Sequence, residues 1–459
     1  MDIDLMSLRF GRDLGKLPPV GSLYLAASLE AAGYRCALHD LQLDDRINAF
    51  DIEALAERIL ATGAPVLGLS LFNDAVPLVI ATLDRIAADI RERRVFLGGP
   101  GVVGIPGELL ARLPQVEAVV VGEGETVLPL LMAREISPGA LPGVWSRDAD
   151  GAVRGAGRTA RENLNRFSTL PWEQYRGRGY SRVPLSTMRG CPFDCQFCEI
   201  IAFMGRNVST RDLDRSLADL GAAVRAIGSN QVDVLDDTFT LSKKRVHRFC
   251  SLLAESGLDV EFSIYSRVDT IDRAMLEDLA RVGCRRVFFG IDAADDAVLE
   301  RIHKRIRIEQ AESIIATASE YCDVSASMIW GYPFETRAAF EATLAFAERC
   351  LECASTHRVQ PQLHLLSPSA GTPLFEEYGH RLVLDESVEG AMCGTLGLSA
   401  FRPQYPEILR VIRDHPLLAA PFYRYDTPEF SAKSRRVEAF NRRIDLQIGR
   451  QVEALLMEE

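Results

Sequence analysis

The sequence predicts an α/β chain in two parts. An open, doubly wound Rossmann-like sheet comes first, a partial (βα)6 barrel follows, and a helical C-terminal segment completes the chain. Two alternations of short apolar runs with amphipathic helical runs predict this, one up to about residue 135 and one from Arg182 onward. Strands that alternate with helices form parallel βαβ units. The second alternation holds only six such units, too few to close an eight-strand barrel. The expected parts are residues 1–138, a linker over 139–180, the barrel over 181–380 and a cap or substrate-specific segment over 381–459.

In the first part, Pro18-Pro19-Val20-Gly21 opens a helix whose apolar residues Leu23, Leu25, Ala26 and Leu29 share a side, and Gly33 ends it. A strand over 35–39, a helix over 50–60, a buried strand over 66–70 and a helix over 76–91 follow. Strands over 95–100 and 116–121 then run into glycine turns, and a helix spans 126–133. Ligands of such sheets bind at the carboxyl ends of the strands. Those ends carry Ser70, Leu71, Phe72 and Asn73, then Gly98 and Gly99, then Gly122 and Gly124. The stretch 140–180 is rich in Gly, Pro and Arg and reads as a linker with one hairpin. Barrel strands are expected over 182–188, 231–235, 261–266, 286–290, 324–330 and 362–366. Helices between them cover 213–227, 243–256, 273–281, 297–301, 310–321 and 337–352.

At 459 residues, with 47% hydrophobic and 25% charged content, the chain can bury a large core in two or three domains. It has no run of eighteen apolar residues and no secretory pattern at its start, so neither a membrane span nor a leader is expected. Its ten Cys then read as cytosolic thiols or ligands, and the expected location is cytoplasmic. A net charge of −12 argues against a broad nucleic-acid surface, which needs a basic stripe.

Three thiols spaced C-x3-C-x2-C, those of Cys191, Cys195 and Cys198, stand just after the first barrel strand. Cys is the usual iron–sulfur ligand, and three thiolates hold three irons of a four-iron cubane. The fourth iron is left for a small molecule. A structural zinc site takes four closed ligands, and the next His, His247, is about fifty residues on. Thiols that merely pack together are the plainer alternative. Cys350 and Cys353, with Cys322 or Cys393, are candidates for a second cluster or for ordinary apolar packing. Cys36, Cys250 and Cys284 read as core. His364 reads as a substrate contact or a satisfied core histidine, and Tyr265, Trp330 and Tyr332 as cavity lining or packing. Lys243, Lys244 and Arg245 read as a solvated face.

The thiol triplet resembles the cluster motif of radical S-adenosylmethionine (SAM) enzymes, and the whole order resembles those with an N-terminal cobalamin (B12)-binding domain. Landmarks after successive strands carry the resemblance: Asp236-Asp237-Thr238-Phe239, Ser266-Arg267-Val268-Asp269 and Phe289-Gly290-Ile291-Asp292. Gly331-Tyr332-Pro333-Phe334-Glu335-Thr336 and Ser367-Pro368-Ser369-Ala370-Gly371-Thr372 follow in the same order.

The resemblance implies a 4Fe-4S cluster on Cys191, Cys195 and Cys198, with SAM on the unique iron. One-electron reduction would cleave SAM to methionine and a 5′-deoxyadenosyl radical. Phe197, Asp237, Arg267 and Asp292 match SAM-binding positions. Arg267 would pair with the SAM carboxylate and Asp292, where most relatives carry Glu, with the ribose. Asp237 and Phe239 would line the floor. A surface salt bridge for Arg267 and a helix cap for Asp292 are the alternatives.

For the first domain the resemblance implies cobalamin, met by Ser70, Leu71, Phe72, Asn73, Gly98, Gly99, Gly122 and Gly124. The D-x-H-x-x-G lower-ligand signature is absent, since His39-Asp40 runs in the wrong order. The implied reaction is methylation of an unactivated carbon of a small molecule, with an external donor such as flavodoxin or ferredoxin. Radical rearrangement, cyclisation or ring contraction is the alternative. A non-catalytic iron–sulfur or metal-binding protein is the reading from another class. The implied partners include neither nucleic acid nor membrane.

Overall fold

The computed structural model describes residues 1–8, 16–44, 51–134, 138–167, 169–384 and 406–457. It opens on a strand outside every predicted element, β1 (Ile3–Leu8), buried at all six positions. Asp4 and Ser7 interrupt its apolar run. Asp4 is nonetheless satisfied inside, taking bonds from the Ala64 N–H at 2.9 Å and Arg93 at 3.1 Å and facing His39 at 3.0 Å. Helix α1 (Val20–Ala31), β2 (Cys36–Asp40), α2 (Ile52–Leu60), β3 (Val66–Leu71) and α3 (Val76–Arg85) follow. The helix expected over 76–91 gives way at Ile86 to turns bonded back to the Ile86 carbonyl.

Strand β4 (Arg94–Gly98), α4 (Pro106–Arg112), β5 (Val116–Val120) and α5 (Val127–Ala133) complete the parallel part. The hairpin of the linker, β6 (Val144–Arg147) and β7 (Val153–Arg154), adds antiparallel to β5. The sheet order is β2-β1-β3-β4-β5-β6-β7.

Strand β8 (Val183–Leu185) begins the second sheet, but the strand expected over 182–188 breaks at Thr187. The buried Asp236 carboxylate draws the Thr187 and Met188 N–H groups out of the ladder at 2.7 and 3.0 Å. The chain then forms β9 (Met188–Arg189), α6 (Glu199–Met204) and β10 (Ser209–Thr210), with β9 and β10 antiparallel.

Helix α7 (Leu213–Ile227), β11 (Gln231–Val234), α8 (Lys243–Ser256), β12 (Glu261–Ser266) and α9 (Arg273–Arg281) come next. They are followed by β13 (Cys284–Asp292), α10 (Asp296–Arg301), α11 (Ile308–Ala318), β14 (Asp323–Trp330), α12 (Arg337–Glu352), β15 (Val359–Leu365) and α13 (Pro373–Tyr378). All six barrel strands pair in parallel in chain order, from β8 and β11 to β15, so the barrel is open between its ends. Side-chain caps fix the helix starts: Ser242 for α8, Asp272 for α9 and Thr336 for α12. Left-handed Gly228 and Gly257 end α7 and α8.

The C-terminal segment covers both parts. Strands β16 (Leu382–Val383) and β17 (Arg424–Tyr425) pair, and between them α14 (Pro406–Asp414) buries Ile408, Leu409 and Ile412 in the core beneath α3. Helix α15 (Phe430–Met457) buries Phe430, Val437 and Phe440 in the barrel core.

Candidate functional site

The cluster loop starts at Gly190, whose φ of +88° and 2.5 Å gap from a would-be Cβ to the Asn207 carbonyl require glycine. Its N–H donates to one oxygen of Asp237 at 2.9 Å, so Asp237 helps to shape this loop. Cys195 is buried, Cys191 and Cys198 are half-buried, and all three are free thiols. Burial, reinforced by the neighbouring thiols, pushes Cys198 up to about 12, and burial also raises Cys195. Burial thus favours the protonated thiol at Cys195 and Cys198, and a metal that binds there must displace those protons. Among the described residues, no three Cys, His, Asp or Glu side chains gather as one metal ion requires. A cubane places each thiolate on its own iron, and three separate free thiols on one loop are the donor set it takes.

Buried charge surrounds the loop. Arg267 is a buried residue and not a surface one. It grips Asp269 with two bonds of 2.9 and 2.8 Å, donates to the Lys304 carbonyl at 2.7 Å and stacks over Phe193 at 3.8 Å. Its Nη1 lies 3.9 Å from Cys195 Sγ. Asp292 does not cap the following helix, a role that Asp295 takes. Lys304 Nζ sits 2.7 Å from Asp292 Oδ2, yet that oxygen makes no directed hydrogen bond and keeps acceptor capacity. Asp292, His303 and Arg305 all hold positive φ, at 70°, 58° and 53°, so backbone strain gathers at this place. Phe197 meets the edge of Tyr332, whose O–H reaches the Asp292 carbonyl at 3.4 Å. Phe239 departs from expectation: it packs in the core against Phe249 and lines no floor.

Both ends of the cluster loop are tied to the first sheet. Arg189 donates to Glu123 at 2.8 Å and Glu125 at 2.6 Å and lies over the Tyr24 ring at 4.2 Å. Arg161 pairs with Glu123 at 3.0 Å and donates to the Arg189 carbonyl at 2.7 Å. At the other end Glu199, the residue after Cys198, accepts from Asn73 at 2.6 Å and from Ser369. Burial raises the Glu199 carboxyl.

Of the strand-end residues, Leu71 is a correction: its side chain is fully buried in the core under α3 and offers no face to a ligand. Gly99 makes room for the Leu71 backbone and Gly122 for Thr159, so these glycines serve close packing of the protein itself. Gly98 faces Val120 and Gly124 faces Leu25. Ser70 is half-buried, and Phe72 is 39% exposed beside the Asn73–Glu199 contact. That exposed ring at the end of β3 is the feature that fits the apolar face of a macrocycle.

The inner wall of the barrel is polar. Trp330 points the other way, onto Phe340 and Phe430, so Ile329 and Ser327 face inward. Ile329 and Ser327 stand in register with His364 and Gln362. His364 meets Gln362 at 3.3 Å, and burial lowers its imidazole. Tyr265, 42% exposed, leans on Phe288 at 5.2 Å.

Elsewhere, Cys350 is buried and Cys353 half-buried at the end of α12, while Cys393 lies outside the described residues. Arg245 is braced, donating to the Thr187 and Arg211 carbonyls at 2.8 and 2.7 Å, so it is no solvated side chain. Sequence reasoning missed Lys304, Glu123, Glu125 and Glu199. Only Glu199 carried a signal, its place directly after the third thiol.

The radical SAM superfamily model matches residues 185–347 and the B12 binding domain model matches residues 9–132. An uncharacterized methyltransferase of Pyrococcus horikoshii is 29% identical over 371 residues, covering 78% of each chain. A hopanoid C-3 methylase of Methylococcus capsulatus is 26% identical over 303 residues, covering 64% of this chain and 57% of that enzyme. Among solved structures, the radical SAM methyltransferase TsrM of Kitasatospora setae, with cobalamin and a 4Fe-4S cluster bound, superposes with a TM-score of 0.67. It is 19% identical and covers 93% of this chain and 84% of that one, a likeness of fold. No helix among the described residues is long and apolar enough to cross a membrane.

Proposed function

We propose that this radical SAM enzyme with an N-terminal B12-binding domain is a cobalamin-dependent methyltransferase acting on an unactivated carbon of a small molecule. One observation carries the reading. The thiol triplet, the buried pairs Arg267–Asp269 and Asp292–Lys304, and the strand-end loops of the first sheet converge on one place.

When bound, the cluster supplies the electron that cleaves SAM, and the corrinoid supplies methyl-transfer chemistry. The chain's own residues do the rest. Cys191, Cys195 and Cys198 would hold the cluster. Arg267, fixed by Asp269 and Phe193, presents a guanidinium fork of the kind that recognises a carboxylate. Asp292, beside Lys304 at 2.7 Å, offers its spare acceptor oxygen to a ribose hydroxyl. Phe197 and Tyr332 shield this side from water. Phe72, Ser70 and Asn73 would hold the corrinoid, and residues 66–134 contain no His. Ser327, Gln362 and His364 orient a substrate rich in neutral hydrogen-bonding groups, and an external flavodoxin or ferredoxin delivers the electron.

The test is product analysis after anaerobic reconstitution with iron, sulfide and cobalamin. Methyl transfer yields 5′-deoxyadenosine together with S-adenosylhomocysteine, and visible corrin absorption that stays with the protein. Deoxyadenosine without S-adenosylhomocysteine contradicts methyl transfer and moves the reaction to radical rearrangement.

A further inference from the structure

Helix α15 enters the core outside β14 through one charged side chain. Lys433 is 2% exposed, and its Nζ lies 2.9 Å from Glu335 Oε2 and 3.0 Å from the Glu335 carbonyl. A buried ammonium persists only where its N–H groups are matched, and the Phe340 ring stands at 5.6 Å on another side. The surface pairs along the same helix differ. Arg436–Glu341 and Arg443–Glu348 are held by side chains that are one third to two thirds exposed, where ion pairs contribute little.

Glu335 belongs to the loop between β14 and α12. Its Oε2 also accepts from the Gly331 N–H at 3.2 Å, and its own N–H donates to the Tyr332 carbonyl at 3.0 Å. Gly331 holds a φ of +87°, and a Cβ there would meet the Leu365 side chain at 2.6 Å, so this turn takes glycine. Tyr332, fully buried, then touches the Asp292 carbonyl and the Phe197 ring. A continuous line of contacts thus runs from a helix 98 residues downstream of Glu335 to the residue just before the third cluster thiol.

We propose that Lys433 is a positioning residue of the SAM site, holding Glu335 so that Gly331 and Tyr332 are set against Asp292 and Phe197. This rests on the pocket being a SAM site, as proposed above. The C-terminal helix then supports the cofactor pocket through Glu335.

The experiment uses full-length, iron-loaded protein as wild type, Lys433→Met and Lys433→Arg. SAM affinity is titrated through the electron paramagnetic signal of the reduced cluster. Hydrogen exchange of the 331–336 loop is measured without SAM. Lys433→Met should keep its iron, bind SAM about tenfold more weakly, roughly one hydrogen bond's worth, and exchange its loop faster. Lys433→Arg should restore both. Wild-type affinity and wild-type loop protection in Lys433→Met overturn the proposal. If Lys433→Met does not fold, Lys433→Met/Glu335→Gln removes both charges, and wild-type values in that pair overturn it equally. Loaded wild type with no response to SAM refutes the SAM-site reading, and loop exchange still decides the role of Lys433.

Discussion

Replacing Arg189 by Met tests whether the first sheet holds the cluster loop in place. Its Nη1 is shared by Glu123 at 2.8 Å and Glu125 at 2.6 Å, carboxylates whose side chains are 2% and 3% exposed. Met fills similar volume but removes the charge. Glu123 keeps Arg161 at 3.0 Å, whereas Glu125 loses the partner that neutralised it. Stranding a buried charge costs about 3–5 kcal/mol, a large share of the roughly 5–15 kcal/mol that holds a domain folded. Glu125→Gln, which keeps the shape and loses only the charge, should cost about 1–3 kcal/mol. The assay is anaerobic urea unfolding with iron content measured after gel filtration. Arg189→Met should unfold at clearly lower urea and lose iron, with Glu125→Gln between it and wild type. Equal midpoints and equal iron in all three proteins would refute the clamp.

Other consequences are more local. Burial raises the Asp236 carboxyl from 3.8 to about 6, against hydrogen bonds from Thr187 and Met188 that lower it. The folded state therefore binds more protons than the unfolded state between those values. This group's contribution to stability falls as pH rises from about 4 to 6, by about 3 kcal/mol. Urea midpoints at several pH values should lose that component in Asp236→Asn, and an unchanged pH slope sinks the assignment. Gly104 has a φ of +75°, and a Cβ there would lie 2.4 Å from the Ala370 carbonyl carbon across the domain contact. Gly104→Ala should cost at least about 1 kcal/mol and speed protease cleavage between the two parts, so an unaltered cleavage rate argues against a rigid contact. Burial lowers the His364 imidazole, so carbon-13 NMR of labelled histidine should find it neutral at pH 6.5. Titration at or above the ordinary value contradicts an inward-facing His364.

Most of the barrel was legible because its long helices and the strands between them announce themselves locally. Helices α7, α8, α9 and α12 have the bounds that their periodicity, caps and glycines predict, and the strands are apolar runs between them. Strand β1 was hidden because its burial depends on Asp4 finding His39, Ala64 and Arg93, partners that no local pattern reveals. The thiols were readable from spacing alone. Lys304 was not: between His303 and Arg305 it looks solvated, and only the left-handed backbone on either side turns it inward to Asp292. The glycines after β4 and β5 were read toward a ligand, but what Gly99 and Gly122 accommodate is the chain itself. Lys433 and Glu335 meet across 98 residues, a distance over which sequence carries no pairing signal.

The central claim is that Cys191, Cys195 and Cys198 hold a cluster with one open iron beside Arg267 and Asp292, where SAM is cleaved. Reductive cleavage of SAM by anaerobically reconstituted protein tests it most directly. Wild type should carry about four irons per chain and release 5′-deoxyadenosine, and Cys198→Ala should lose iron and product together. Wild type with full iron and no deoxyadenosine, or Cys198→Ala with undiminished product, would contradict the account.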